Sequence, residues 1–313
     1  MAGFVFRRLG FAVVTLFAVL TLVFFVVRIL PGDPAMVILG DQASAATIAA
    51  LRTRLGLDLP VTTQYARFIL GALGGDWGTS MVTRRPVMQE VLNVLPHTLE
   101  LTAVALVLGI AIGVPAGVWA AVNRNRIPDY VTRIVSLVGL SAPAFVSGIV
   151  LLLVFAIALS WFPVISGGQA TTFTGRLREL ALPATNLALI MAAYVTRVTR
   201  SAMLEVLSQD YVRTARAKGV PARVVVWRHA LRNCLIPVVT VIGLYLGILI
   251  GNSVLTEIVF NRPGLGKLIV GALAQRDYTM LQGMMVIYTL IVVLVNLATD
   301  LVYGLVDPRV QFK

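Results

Sequence analysis

Residues 210–237 read DYVRTARAKGVPARVVVWRHALRNCLIP, a basic stretch between two long apolar segments. Its six arginine and lysine residues and its one acid, Asp210, give a net charge of +5. Each cation at the centre of a membrane-spanning helix costs about 3 kcal/mol. The stretch is therefore expected to lie in water, with membrane-spanning segments on both sides.

The pattern within this stretch predicts two short helices joined by a turn, and we call residues 210–232 the elbow. Asp210 is a good N-cap for a helix over residues 211–218, and Gly219 stands where a left-handed residue ends a helix. Pro221 suits the first turn of a second helix over residues 222–232. Small residues leave one side of the first helix narrow enough for a groove in another protein: Thr214, Ala215 and Ala217.

The elbow resembles the cytoplasmic coupling loop of ABC importer permeases, in particular those of the peptide-importer branch. In the general motif a Glu-Ala-Ala triplet begins six positions before the glycine. Arg213-Thr214-Ala215 stands there in this chain, the variant typical of dipeptide, oligopeptide and glutathione permeases. The resemblance assigns contact with an ATPase to seven residues: Arg213, Thr214, Ala215, Arg216, Ala217, Lys218 and Gly219.

Short matches to this family continue along nearly the whole chain. They are LPGDP at 30–34, GLD at 56–58, GDWG at 75–78, RSAM at 200–203, FNRPGLG at 260–266, RDY at 276–278 and DPR at 307–309. The resemblance implies an all-α, polytopic membrane protein with six transmembrane helices and the type I fold of binding-protein-dependent ABC importer permeases. It also implies a location in the bacterial inner membrane.

The same resemblance implies a set of partners. The chain would form half of a heterodimeric pathway for peptides, namely dipeptides, oligopeptides or glutathione, and a homologous second permease subunit would form the other half. Two ABC ATPase subunits would bind below and an extracytoplasmic solute-binding protein above. ATP and magnesium would be bound by the ATPase subunits, so this chain is expected to be no enzyme and to hold no catalytic residue, metal or cofactor.

Composition leads to the same class of protein independently. The 313 residues are 58% hydrophobic and only 13% charged, whereas about a quarter of the residues in a soluble domain are charged. A polytopic protein in contact with membrane lipid is indicated. The net charge of +12 is not arranged as basic residues interleaved with aromatic ones, so nucleic-acid binding is not expected. The single cysteine, Cys234, excludes an internal disulfide.

Six apolar runs are long enough to cross a bilayer, which takes about 20 residues. They are residues 9–30, 98–122, 134–159, 180–204, 235–256 and 281–302. If the N-terminus lies inside, most arginine and lysine residues outside the long first outer loop fall on the inner side. This orientation puts the elbow and both termini in the cytoplasm.

These segments predict four parts of the chain: an N-terminal transmembrane helix (1–30), an extracytoplasmic helical cap (31–95), a permease core (96–306) with its coupling loop at 207–233, and a cytoplasmic tail (307–313). Within the cap we expect a helix capped by Ser44, a second over residues 61–73, and a third opened by Pro86. A short apolar helix over residues 265–274 is too brief to cross the membrane.

Polar residues in the apolar runs are candidates for function or for packing. Tyr194, Tyr245 and Asn252 lie deep in the fourth and fifth runs, where a polar group facing lipid would be unsatisfied, so they line the substrate pathway or pack between helices. Charged residues near the ends of runs are expected to snorkel or to pair across helices, namely Arg28, Glu100, Arg197, Arg200 and Asp300.

The second and third apolar runs each contain a proline residue. Pro115 and Pro143 lie inside the second and third runs, as hinges or as packing residues.

A proton-driven secondary transporter would need a relay of intramembrane acids or histidines, which the runs lack at mid-membrane. A membrane-embedded enzyme is disfavoured because the two histidines, His97 and His229, fall on opposite sides of the membrane.

Overall fold

The computed structural model describes residues 2–29, 34–40, 43–168 and 170–306. In chain order its α-helices are α1 (Ala2–Ile29), α2 (Pro34–Leu39), α3 (Ala45–Arg54), α4 (Val61–Leu73), α5 (Val87–Val122), α6 (Ile127–Ser141), α7 (Ala144–Leu151), α8 (Phe173–Leu207), α9 (Asp210–Ala217), α10 (Ala222–Val224), α11 (Leu231–Val259), α12 (Leu265–Ala274) and α13 (Tyr278–Val306). The predicted all-α class is confirmed. The LPGD residues 30–33 and the predicted tail at 307–313 lie outside the described ranges.

Within the described ranges, two π-helical segments interrupt the regular α-helical hydrogen bonding. Leu152–Ala158 continues α7, and Val225–Ala230 joins α10 to α11. Single π-helical turns inside α-helices are rare and are found frequently at functional sites. The second of them lies within the elbow.

Five helical segments of the described chain are long and apolar enough to cross a membrane, and they overlap five of the six predicted runs. They are Leu9–Val26, Val87–Val122, Phe173–Leu207, Ala222–Val259 and Tyr278–Thr299. Pro115 lies inside the unbroken helix α5. The remaining run corresponds to two helices with a break between them, so the described part of the chain has six spans if that pair counts as one.

The third run is not the single straight helix that its apolar composition suggests. Helix α6 ends at Ser141, and the axis turns by 107° before helix α7 continues. Ala142 adopts an extended conformation and Pro143 is the N-cap of α7. A residue before proline is pushed out of the α region, and proline has no N–H to extend the preceding helix. Pro143 was interpreted as a hinge or as a packing residue, and the structure shows a break of the run at this proline.

The described residues within 1–96 and 264–293 form one compact unit. Its apolar core includes Val87, Val91, Leu265 and Met284. The predicted bounds of α4 and α12 are confirmed, and the Ser44 hydroxyl accepts a hydrogen bond from the N–H of Thr47 at 3.2 Å, as expected for the N-cap of α3.

Asp277 ties two parts of this unit together. Its carboxylate accepts hydrogen bonds from the Ser80 hydroxyl and from the N–H groups of Met81 (3.1 Å), Val82 (3.3 Å) and Met280 (3.0 Å). The same side chain thus caps the start of α13 and holds the loop that precedes α5. Charge-assisted hydrogen bonds of this kind are about twice as strong as neutral ones.

A second unit is built from the described residues within 97–263 and 294–306. Its core is formed mainly by α8 and α11, with Met191, Val195 and Leu249 fully buried. Glycines spaced four apart on α5 allow a close approach of α8: a β-carbon added to Gly113 would lie 2.7 Å from Cβ of Val195, and Gly117 is equally crowded by Thr199. Small residues at such spacing are typical of helix pairs that pack inside membranes.

Candidate functional site

The first half of the elbow is a short exposed helix. Helix α9 covers Asp210–Ala217, and its N-cap is Gln209, so the prediction of Asp210 as the N-cap was off by one residue. As the first helical residue, Asp210 still places a negative charge at the positive end of the helix dipole. Its carboxylate lies 3.3 Å from the guanidinium of Arg213.

The turn at Gly219 is confirmed in detail. Gly219 has φ +76°. Its N–H donates to the carbonyl of Arg216 at 3.0 Å, and the N–H of Val220 donates to the carbonyl of Ala215 at 3.2 Å. These two bonds form a Schellman motif, the helix ending that glycine favours because it has no β-carbon.

The second half of the elbow differs from the prediction. Helix does not stop at residue 232 but runs from Ala222 to Val259 as a single apolar segment of 38 residues, through the π-helical turn. No glycine or other helix breaker stands between Pro221, the N-cap, and Pro237, and Pro237 is accommodated inside α11. The elbow is therefore one short helix, α9, joined by one tight turn to the start of a long spanning helix. That start is the end predicted to lie on the cytoplasmic side.

The seven residues of the coupling motif surround this turn. Six of them are exposed and Ala215 is partly exposed. Two contacts hold α9 in place from the other side: Val212 is fully buried, and the amide of Asn233 donates to the hydroxyl of Tyr211 at 2.7 Å. Sequence reasoning missed both, although an apolar residue amid cations is a signal for an anchored face.

An ion pair links α6 to α8 in the same unit. Asp129 is fully buried and accepts two hydrogen bonds from the guanidinium of Arg200, one of them at 2.8 Å between Nη2 and Oδ2. It also accepts from the N–H of Asn125 at 3.0 Å. The expectation that Arg200 pairs across helices is confirmed, but Asp129 was not identified from the sequence.

Glu100 also forms an ion pair, but its partner lies in the loop after α11 rather than on another helix. The guanidinium Nη2 of Arg262 lies 2.6 Å from the carboxylate of Glu100, and the Arg262 side chain is almost completely buried. Because Arg262 is buried, separating it from Glu100 would leave an uncompensated charge, so the pair favours one arrangement of this loop against α5.

Two of the three candidate pathway residues lie together. The rings of Tyr194 on α8 and Tyr245 on α11 stack with 5.1 Å between centroids, and the guanidinium of Arg197 lies 5.3 Å from the Tyr194 centroid. Tyr245 is only 6% exposed. Asn252 lies two turns further along α11 and is partly exposed.

A buried amide next to the broken span was not found from the sequence. Asn186 is fully buried and donates to the carbonyl of Ala144 at 3.0 Å and to the hydroxyl of Thr256 at 3.2 Å, while its own oxygen accepts from Ser147 at 2.7 Å. It joins α7, α8 and α11 just after Pro143. A single asparagine in an apolar run was the available signal.

Comparison with known proteins relates the chain to transporters over its full length. Residues 113–312 match the model of the family described as binding-protein-dependent transport system inner membrane component, and residues 1–102 match the model of the N-terminal region of such components. The glutathione transport system permease proteins GsiC of Escherichia coli (strain K12) and of Salmonella paratyphi A are each 42% identical over 313 residues, which is 100% of this chain and of the relative.

Solved structures support the fold. An inward-facing MetNI methionine ABC transporter has a TM-score of 0.58 at 22% identity, over 70% of this chain and 97% of the other chain. An amino acid ABC transporter has a TM-score of 0.53 at 14% identity, over 71% and 95% of the two chains. The predicted type I importer permease fold is thereby confirmed.

Proposed function

The chain belongs to the family of inner membrane components of binding-protein-dependent transport systems, and on that basis we propose that it forms one half of the translocation pathway of a peptide importer. It is a multi-pass permease subunit of an ABC importer and works with ATPase subunits. Permease subunits of this family lack ATPase activity, and no cofactor is expected in the chain.

The substrate class proposed is glutathione, dipeptides or oligopeptides. The observation that carries it is the 42% identity, over both full lengths, with permeases named for glutathione transport. The other half of the pathway would be a homologous second permease, with two ATPases below and a solute-binding protein above. Residues 31–95 would form the extracytoplasmic cap, and residues 1–30, 96–306 and 307–313 the first helix, the core and the tail.

The elbow would be the contact with the ATPases, and the termini would be cytoplasmic. The exposed, basic and narrow surface of residues 213–219 supports this role. Because helix continues from Ala222 through α11, a displacement of α9 would be transmitted to a spanning helix across one tight turn. A long flexible loop would absorb the same displacement.

The pathway would pass along Tyr194, Tyr245 and Asn252. A conduit for peptides needs weak hydrogen-bonding groups, since strong charged sites would retain the substrate. Tyr245→Phe combined with Asn252→Ala removes these groups but keeps the stacked ring, so it should lower uptake without loss of assembly. Normal uptake would identify the residues as packing groups.

Reconstitution tests the proposed function. The chain, purified with its co-expressed partners and placed in liposomes, should import radiolabelled glutathione, a dipeptide or a pentapeptide only with ATP and the binding protein. Import of amino acids or sugars alone would contradict the substrate class.

Cross-linking tests the coupling contact separately. In a Cys234→Ala background, a cysteine at Arg216 should cross-link to an ATPase subunit, whereas one at Arg124, an exposed residue on a different turn, should not. Equal cross-linking at both positions, or none at Arg216, would contradict the assignment of the elbow.

A further inference from the structure

A cavity of about 360 Å³ lies between α6 and α8 and is not accounted for by the coupling or pathway residues. Its volume falls within the range of about 300–1,000 Å³ that is usual for small-molecule sites. One part of its wall carries arginines 133, 197 and 200, and another is apolar, with Ile134, Leu137 and Leu140.

The polar part has an excess of positive charge. Asp129 neutralises Arg200 through the bidentate pair described above. Within the described residues, Arg133 and Arg197 make no ion pair with a carboxylate. Arg133 instead lies over the ring of Tyr130, at 5.8 Å from its centroid, and Arg197 over that of Tyr194.

Stacking orients these two guanidinium groups without using their donors. A guanidinium on a ring face keeps its in-plane N–H groups available, and their planar arrangement matches the oxygens of a phosphate. The three arginines and the one carboxylate leave a net charge of +2, so the ligand should be an anion.

The apolar part extends from the charged part along the membrane helix. Arg133, Leu137 and Leu140 follow each other at i, i+4 and i+7 and so share one face of α6, over about 10 Å of helix length. Ile134 and Leu137 are 61% and 65% exposed. A free anion or a carboxylate would occupy only the charged part, whereas a lipid would use both.

We propose that this cavity binds one anionic phospholipid, with the phosphate at Arg133 and Arg197 and an acyl chain along Leu137 and Leu140. Arg200, held by Asp129, shapes the charged part of the wall. The proposal concerns a site on the surface of α6 and α8 and does not depend on which solute the transporter carries.

Lipid titration of the intact transporter tests the site. The transporter, purified with its partners in detergent, is titrated with dioleoyl phosphatidylglycerol or dioleoyl phosphatidylcholine, and native mass spectrometry counts the lipids retained. One phosphatidylglycerol should be retained in preference to phosphatidylcholine. Each arginine near an anionic lipid contributes about fivefold to binding, so Arg133→Gln with Arg197→Gln should weaken this lipid by about 25-fold.

Two matched variants separate the site from general surface charge. Arg124→Gln with Arg126→Gln removes the same charge from exposed residues of the neighbouring turn and should change the affinity less than twofold. Arg133→Lys with Arg197→Lys keeps the charge and should retain part of the binding. Melting curves of all variants should coincide, because the exchanged side chains are exposed.

Three outcomes would overturn the proposal. Equal weakening by the Arg124/Arg126 variant would show general attraction to the surface. Displacement of the lipid by millimolar inorganic phosphate, with no effect of Leu137→Gln, would show a site for a free anion. Absence of any phosphatidylglycerol preference in the unmodified transporter would show that a protein surface or another ligand covers this face.

Discussion

Replacing Gly219 by alanine perturbs the turn of the elbow and almost nothing else. Gly219 has φ +76°, and a β-carbon built there meets no atom within 4 Å. The substitution therefore creates no clash inside the chain, and its cost is confined to the left-handed backbone, about 1 kcal/mol. If docking needs this turn and the turn forms on docking, the equilibrium constant for docking should fall about fivefold.

Gly75 provides a matched control. It has φ +78°, and a β-carbon there also meets no atom within 4 Å, but it lies in the segment proposed as the outer cap. Gly75→Ala should carry the same backbone cost of about 1 kcal/mol. The two variants should therefore have equal melting temperatures while differing in transport.

The assay is ATP-dependent uptake by the reconstituted transporter, together with the affinity of the permease for its ATPase subunits. Uptake and affinity should both fall about fivefold in Gly219→Ala and stay unchanged in Gly75→Ala. Gly219→Asp should lose more, since it adds a carboxylate to the basic surface, and Gly219→Asn less than Gly219→Val, because asparagine tolerates left-handed backbone. Equal uptake in the two alanine variants would refute the role of the elbow.

Three further outcomes are expected from other parts of the chain. Asn186→Leu should lower the melting temperature, because it removes three buried hydrogen bonds worth roughly 2 kcal/mol together at the values measured inside membranes. An unchanged melting curve would show that the hydrogen bonds of Asn186 to α7 and α11 do not stabilise the broken span. Asp277→Asn replaces one oxygen that accepts hydrogen bonds by an NH2 group that donates them. Limited proteolysis should therefore cut the loop before α5 faster than in the unmodified protein. Unchanged cleavage would show that other contacts hold the loop. In a Cys234→Ala background, a cysteine introduced at Leu73, which is 78% exposed, should react with a membrane-impermeant thiol reagent applied to intact cells. A cysteine introduced at Arg124 should not react. The reverse pattern would show that the proposed orientation in the membrane is inverted.

Local features of the chain were predictable from the sequence because their causes lie within one or two helical turns. Both ends of α4 and the start of α12 are set by neighbouring glycine and proline residues, and the left-handed turn at Gly219 follows from the absence of a β-carbon. Five spans follow from the length of the apolar runs. The coupling motif could be recognised for the same reason, since its residues are consecutive.

The sequence near a proline did not by itself determine whether the helix ends there, because packing against other helices also matters. Pro143 breaks the third run, whereas Pro115 and Pro237 are accommodated inside long helices. The short second helix expected at 222–232 is the beginning of a much longer one. In membrane helices the groups freed by a proline can be satisfied by neighbouring helices, so the surroundings decide whether the helix ends.

The partners of the buried polar residues were decided by tertiary structure alone. Asp129 and Arg200 are 71 positions apart, and Asn186 and Thr256 are 70 apart. The sequence determined that such groups, in apolar surroundings, must be satisfied, because an unpaired polar atom is costly where water is absent. Which partner each one finds depends on which helix faces meet, and periodicity along one helix carries no information about the face of another.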